Sequence, residues 1–175
     1  MKTFRFIFST ILLFIFFLNI ALAESNIAFV NLEKILTESK AGKSMASQIN
    51  AVNKKNLTNF NKIEEKLKKE DKSLTSKKNI LSKEDYQKEL NILKDNVAKY
   101  QQERAVKIKK ASKAGMEATS KILNLINPIL AKYAKDNDIS IIMDKKNIIM
   151  GKTELDITNE VLKIIDKEVK PFTVK

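Results

Sequence analysis

The sequence contains no cysteine and no histidine, and it has only three glycines and two prolines among 175 residues. Because cysteine is absent, disulfides do not stabilise the fold, and stability has to come from packing or from association between chains. Without cysteine or histidine, the usual ligands of a zinc site are missing. The histidine base and the cysteine nucleophile of common catalytic pairs are missing as well. Gly42, Gly115 and Gly151 lie far apart, which excludes a glycine-rich phosphate loop. We therefore expect a protein that is not an enzyme, with no catalytic residues, no metal and no cofactor.

The first 23 residues have the pattern of an export signal. Lys2 and Arg5 give a positively charged start, residues 6–22 are almost continuously apolar, and residues 21–23 read Ala-Leu-Ala. Small residues at the first and third of these positions are what signal peptidase accepts, so we predict cleavage after Ala23. The alternative is an uncleaved membrane anchor, because an apolar run of 17 residues is near the lower limit for a membrane span.

Positive charge is concentrated in the middle of the chain. Without the predicted signal, 31 basic and 21 acidic residues remain, a net charge of +10. Residues 43–113 alone carry 19 basic and 9 acidic residues, which is also +10. This segregation favours a separate, solvated projection over a position inside a globule. A disordered basic tail is the alternative, but the apolar periodicity of the segment argues against it.

The apolar residues of this segment recur at helical spacing in two stretches. The first stripe has gaps and comprises Met45, Ile49, Val52, Phe60, Ile63, Leu67, Leu74 and Leu81. The second comprises Tyr86, Leu90, Leu93, Val97, Tyr100, Arg104, Ile108, Ala111, Gly115, Ala118, Ile122, Leu125 and Ile129. Its repeated step of four at Arg104–Ile108 is a stutter, which relaxes supercoiling locally. The two stripes predict amphipathic helices that pack against each other as a coiled-coil hairpin.

Turn signals separate the two helical stretches. Residues 73–79 lower helix propensity, and Ser82 is followed three positions later by Asp85, the pattern of a helix N-cap. We place the hairpin tip near residues 73–85. Asn127-Pro128 predicts a bend where the returning helix leaves the arm, since proline lacks an amide hydrogen. The predicted arm is residues 43–127.

The flanking segments predict a small β hub. Short apolar patterns at 26–31, 139–143 and 147–151 predict three strands, and residues 156–160 open a final amphipathic helix. The hub therefore comprises residues 24–42 and 128–175, and the fold class is mainly α with a small β sheet (α+β). A sheet this small leaves unpaired edges, so we expect an obligate homo-oligomer. The residues expected to form its interface are Ile27, Phe29, Val30, Ile139, Ile141, Ile142, Ile148 and Ile149.

This combination resembles the Skp (OmpH-like) family of periplasmic chaperones. The likeness lies in the opening strand at 27–31, the basic hairpin, the returning strand at 138–144 and the closing segment at 156–162, and it covers essentially the whole mature chain. The resemblance implies a periplasmic, jellyfish-shaped trimer, with three helical arms around a cavity. It also implies that unfolded outer-membrane proteins are held there without ATP on their way to the outer membrane.

Exposed lysines and one aromatic residue are the candidate client-binding residues. The set is Lys54, Lys55, Phe60, Lys62, Lys66, Lys68, Lys69, Lys72, Lys77, Lys78 and Lys83. Lysine stems offer apolar contacts, and their charges attract acidic clients and anionic lipid or lipopolysaccharide. Phe60 is included because Asn56 and Asn59 make its stretch a poor coiled-coil seam. The alternative is that these lysines only solvate the helix surface.

Two other function classes are compatible with parts of this sequence. A nucleic-acid binder would explain the lysines, but export removes that partner and only Arg5 and Arg104 could read bases. A structural periplasmic coiled coil that tethers or binds the envelope remains the alternative. It requires a long unbroken heptad seam, whereas this seam is interrupted by asparagines, a turn and a proline.

Overall fold

The structure is a computed structural model that describes residues 26–174. The predicted export signal and its cleavage site lie outside these residues. The elements in chain order are β1 (Ile27–Val30), α1 (Leu32–Glu38), α2 (Lys40–Ser76), α3 (Lys83–Asp136), β2 (Ile141–Asp144) and α4 (Thr158–Glu168). Two short 3-10 turns, Lys145–Asn147 and Thr153–Leu155, connect β2 to α4. The predicted fold class, mainly helical with a small β sheet, is confirmed.

Helices α2 and α3 form a long antiparallel hairpin. Met45 near the start of α2 faces Thr119, Phe60 faces Tyr100 with ring centroids 6.3 Å apart, and the Lys77 ammonium lies 3.7 Å from the Glu89 carboxylate. Residues later in α2 therefore contact residues earlier in α3, as expected for antiparallel helices. With 37 residues, α2 is about 55 Å long at ~1.5 Å per residue.

The hairpin turns between Ser76 and Lys83. The Ser82 hydroxyl oxygen accepts a hydrogen bond from the Asp85 amide at 3.1 Å, so Ser82 caps α3 as its sequence pattern indicates. Two acidic residues, Glu84 and Asp85, lie in the first turn of α3. Their negative charges interact favourably with the positive end of the helix dipole and stabilise the helix.

Helix α3 continues through Pro128 to Asp136, so the chain does not end one helix and start another at this point, and the bend expected at Asn127-Pro128 stays a prediction. A proline inside a helix removes one hydrogen bond and costs about 3 kcal/mol or more. Ile126 and Ile129 on either side of it are buried in the hub core. Their burial compensates for the lost hydrogen bond and keeps the helix intact.

The hub sheet has two parallel strands rather than three. Ile27 pairs with Ile141 and Phe29 with Met143. The third strand predicted at 147–151 is not formed. The Asp144 carboxylate accepts a hydrogen bond from the Lys146 amide and starts a 3-10 turn, after which the chain bends back over Phe29. On the other side of β1, the Ile157 amide donates to the Phe29 carbonyl at 3.0 Å, which gives that edge one bridge.

The core lies where the sheet, the base of α3 and α4 meet. One face of the sheet, carrying Ala28, Val30 and Ile142, packs against the helices. The helical residues that fill this core are Ile35 of α1, Met45 of α2, Ile122, Ile126 and Ile129 of α3, and Val161 and Ile165 of α4. Burial of these apolar side chains is the main stabilising contribution, and it is confined to the hub end of the hairpin.

The C-terminal tail crosses the base of the hairpin. The Gln48 amide donates to the Phe172 carbonyl at 2.8 Å, and the Gln48 oxygen accepts from the Val174 amide at 3.0 Å. The Lys121 ammonium lies 4.2 Å from the centroid of the Phe172 ring. Because Gln48 is on α2 and Lys121 on α3, the tail is joined to both helices of the arm.

Asp156 connects the segment after β2 to α4. Its carboxylate lies 2.7 Å from the Lys145 ammonium and accepts hydrogen bonds from the backbone amide and the hydroxyl of Thr158. Burial raises the pKa of Asp156, but the hydrogen bonds from Lys145 and Thr158 outweigh it, and the net pKa lies below the ordinary value. The Thr158 hydroxyl oxygen in turn accepts from the Asn31 amide at 2.9 Å, which ties the start of α1 to the start of α4.

We predict that Gly42→Ala destabilises the protein whereas Gly115→Ala does not. A Cβ at Gly42 would lie 1.9 Å from the Leu36 carbonyl oxygen, so the α1–α2 junction would have to open. We expect a loss of about 1–3 kcal/mol in the free energy of unfolding. A Cβ at Gly115 meets Ile49 at an ordinary 3.7 Å, so this control should gain up to about 1 kcal/mol from better helix propensity. Urea unfolding measures both, and equal effects would contradict the packing described.

We also predict that Asp156→Asn destabilises the hub in a pH-dependent way. A carboxylate with a lowered pKa in the folded state stabilises it above the unfolded pKa of about 3.9, and this contribution disappears as pH falls through the folded pKa. The variant should therefore lose on the order of 1 kcal/mol at neutral pH, and its difference from wild type should shrink below about pH 4. Asp95→Asn, on the exposed arm, controls for net charge. Thermal unfolding between pH 3 and 7 gives the comparison, and a pH-independent difference would refute the ion-pair account.

Candidate functional site

The arm presents its lysines to solvent. All ten lysines predicted to contact a partner are exposed, at positions 54, 55, 62, 66, 68, 69, 72, 77, 78 and 83. Lys66 lies 3.6 Å from Glu70 and Lys77 lies 3.7 Å from Glu89, and both pairs are solvated. Within residues 26–174, the other eight lysines have no carboxylate within 4.0 Å. Exposed ion pairs contribute little to stability, so most of this charge is available to act on the surroundings.

Phe60 is not on the surface, which corrects the reason for choosing it. Its side chain is 6% exposed and packs edge-to-face against Tyr100, with the Arg104 guanidinium 5.6 Å from the Phe60 ring centroid. The asparagines beside it suggested a poor seam, but the aromatic pair closes the seam at this point. The role of Phe60 in the structure is to hold the two helices together.

The Tyr100 hydroxyl donates a hydrogen bond to the Glu64 carboxylate across the hairpin. Burial raises the pKa of Tyr100, and the hydrogen bond to Glu64 raises it further. Tyr100 therefore keeps its proton at neutral pH and remains the donor. We call Phe60, Glu64, Tyr100 and Arg104 the mid-arm cluster.

Between the mid-arm cluster and the hub, the two helices leave an open groove of about 790 Å³. We call it the arm groove. Its apolar lining comprises Ile49, Leu57, Phe60, Ile108, Ala111, Met116 and Leu123, and its polar lining comprises Asn53, Asn56, Arg104, Ser112, Thr119 and Ser120, with Gly115 between them. The sequence signals that indicate it are the stutter at Arg104–Ile108 and the asparagine at 56. Neither signal by itself predicts a groove, because the groove depends on the spacing between the two helices.

The outer face of the hub sheet is apolar and open. Ile27 and Ile141 lie side by side in the two strands and are exposed, as is Met143. Ile149 and Met150, in the bend that covers Phe29, are almost fully exposed. We call these five residues the hub patch. Soluble proteins rarely expose adjacent large apolar residues unless the surface makes an interaction.

Five of the eight residues predicted for oligomerisation are buried or half-buried within the protomer itself. Val30 is buried and Ile142 half-buried on the inner face of the sheet, and Ile139 packs on the same core. Phe29 is buried under the bend at Gly151, and Ile148 is half-buried beside it. Strand alternation explains the burial of Val30, because residues 28 and 30 point to the opposite face from 27 and 29. Phe29 shares the face of Ile27 and is buried by the bend instead. Of the eight, only Ile27, Ile141 and Ile149 remain exposed, and Met143 and Met150, which were not among the predicted residues, are exposed as well.

The described part of the chain shows two further negative findings. Residues 26–174 contain no group of three or more acidic, histidine or cysteine residues placed to hold a metal ion. Of the helices in this range, none combines the length and apolar character needed to cross a membrane.

Comparison with known proteins identifies the family. Residues 26–165 match the family model described as outer membrane protein (OmpH-like), which is most of the chain. The protein therefore belongs to the OmpH-like family, in agreement with the resemblance noted in its sequence.

A solved structure supports the fold independently. The chain superposes on an OmpH-like protein of Caulobacter crescentus CB15, which is described as a candidate outer membrane chaperone, with a TM-score of 0.77. The match covers 85% of this chain and 88% of the other, at 16% sequence identity. The comparison with curated proteins found no match.

Proposed function

We propose that the protein is a periplasmic, ATP-independent holdase chaperone. It binds unfolded outer-membrane proteins between the basic arms of a homo-oligomer and prevents their aggregation during transit to the outer membrane. The observation that carries this proposal is the arm, a long thin hairpin with lysines exposed along its length, in a member of the OmpH-like family. The description of the Caulobacter crescentus protein as a candidate outer membrane chaperone agrees with it.

The chemistry of the arm suits an unfolded outer-membrane client. Such a chain alternates apolar and polar residues, and its unpaired strands aggregate readily with those of other chains. Lysine side chains offer an apolar stem and a charged head, so a lysine-covered surface gives many weak contacts without fixing a register. The same charges attract acidic clients and anionic lipid or lipopolysaccharide, and salt weakens this attraction.

The hub patch supports assembly of the arms around a common cavity. Ile27, Ile141 and Met143 of the patch lie on a sheet that has only two strands, Ile149 and Met150 lie in the bend that follows β2, and β2 has a partner on one side only among the described residues. Covering this face and edge with another protomer would bury the patch and satisfy the edge. We propose a homo-oligomer joined at the hub, with three subunits as the family resemblance implies.

The proposal predicts suppression of aggregation that depends on arm charge. At stoichiometric amounts, the protein should prevent the light scattering that follows dilution of a urea-unfolded outer-membrane protein, and high salt should weaken the effect. Replacing Lys54, Lys55, Lys68 and Lys69 by Gln should reduce client affinity severalfold. The matched control replaces four hub lysines, Lys135, Lys152, Lys163 and Lys170. A structural tether would leave aggregation unchanged, and an equal effect of both variants would refute the role of the arm lysines.

The proposed assembly predicts that Ile149→Asp dissociates the oligomer. Ile149 is fully exposed in the protomer, so a charge there should leave protomer folding intact but be costly in a buried interface. Ile80→Asp at the exposed arm tip is the matched control and should leave the assembly unchanged. Sedimentation at micromolar concentration measures both variants, and a wild-type monomer would overturn the assembly.

A further inference from the structure

We propose that the arm groove binds extended polypeptide segments in which large apolar residues are flanked by acidic ones. This inference rests on the proposed chaperone function and names the part of the client that the arm recognises. The groove is open to solvent over a volume of about 790 Å³, which is within the range of sites that hold small ligands or short peptide segments.

The apolar walls of the groove are unusually exposed for a helical seam. Leu57, Ile108 and Met116 are 59%, 51% and 65% exposed, although Ile108 belongs to the stripe that faces α2. An apolar side chain that enters the groove would remove these surfaces from water, which is favourable by about 25 cal/mol per Å². Met116 is flexible and polarisable, so this wall adapts to side chains of different shape.

The polar lining favours a polypeptide over a hydrocarbon chain. Asn53 and Asn56 line the groove together with Ser112. Within residues 26–174, none of these three side chains forms a hydrogen bond with another residue. An amide group both donates and accepts, so it can satisfy the backbone N–H and C=O of an extended segment. A fatty acyl chain would leave these groups without partners, which is unfavourable.

Positive charge beside the groove favours acidic residues next to the apolar residue of the bound polypeptide. Residues 104–113 contain five basic residues and no acidic one, and residues 50–63 contain three basic residues and no acidic one. Both stretches border the groove. Acidic residues beside the bound apolar group therefore lie in a favourable field, whereas basic ones are repelled.

The placement of the segment is tested by photo-cross-linking. A benzophenone amino acid is placed at Leu57 or Met116 in the groove, and at Val52 or Val106 outside it. Val52 is 48% and Val106 is 60% exposed, so the control sites match the groove sites in chemistry and accessibility. With a urea-unfolded outer-membrane protein as client, we expect cross-links from positions 57 and 116 at severalfold higher yield. Equal yields from all four positions would overturn the inference.

The groove can also be filled without changing charge. Gly115→Leu adds a side chain that projects from the groove lining, and its Cβ meets Ile49 at an ordinary distance. Ala98→Leu, at an exposed site outside the groove, is the matched control. The probe is a fluorescent peptide of alternating phenylalanine and serine, flanked by aspartates or by lysines. We expect Gly115→Leu to weaken binding of the aspartate-flanked peptide by about tenfold or more, and Ala98→Leu to leave it unchanged.

The remaining outcomes separate the two proposals. If wild-type protein suppresses aggregation but Gly115→Leu binds the aspartate-flanked peptide normally, the groove inference fails and the chaperone function stands. If the lysine-flanked peptide binds as tightly, the acidic preference is wrong. If decanoate binds in a Gly115→Leu-sensitive way and neither peptide binds, the groove is a hydrocarbon site and the inference is overturned. If wild-type protein does not suppress aggregation, the chaperone function itself fails.

Discussion

The position of the arm depends on one short stretch of packing at the base of α3. Ile122, Ile126 and Ile129 are buried against the inner face of the sheet and against α4, and they belong to the same continuous helix as the arm. If the helix had ended at Pro128, a non-helical segment would have connected the hub to the arm. Because burial of these isoleucines outweighs the hydrogen bond lost at the proline, one continuous helix runs from the returning half of the arm into the hub.

Away from this base, the hairpin is packed only at intervals. Met45 and Ala118 close the seam near the hub, the mid-arm cluster closes it halfway, and Leu74 closes it near the tip. The arm groove separates the first two of these contacts. A helix with only one neighbour gains little stability from burial, so such a hairpin can open locally between its contacts. Under the proposed function, a surface of this kind would adapt to clients without a common sequence, which a continuously packed coiled coil cannot do.

Most of the fold could be predicted from the sequence, because helical periodicity and capping are local signals. The errors arise where a helix has more than one neighbour. Near the hub, α3 contacts α2, α4 and the sheet together, so Ile126 is buried while Leu125, the residue on the predicted stripe, is 40% exposed. The prediction of a third strand was wrong because an apolar run such as residues 148–150 fits either a strand or an exposed patch. Tertiary contacts decide between the two. Exposure of the lysines could be predicted from charge segregation, whereas the arm groove depends on the relative spacing of two helices.

The C-terminal tail shows most clearly what periodicity cannot reveal. Gln48 looks like an ordinary polar surface residue, yet its amide bonds to the backbone of Phe172 and Val174 as a neighbouring β-strand would. Together with Lys121 over the Phe172 ring, this contact holds α2 and α3 to the chain that follows the hub helix. The base of the arm is thus fixed from two sides, by the isoleucines of α3 and by the tail. We therefore expect any bending of the arm to occur beyond this base, in the sparsely packed part of the hairpin where the groove and most of the lysines lie.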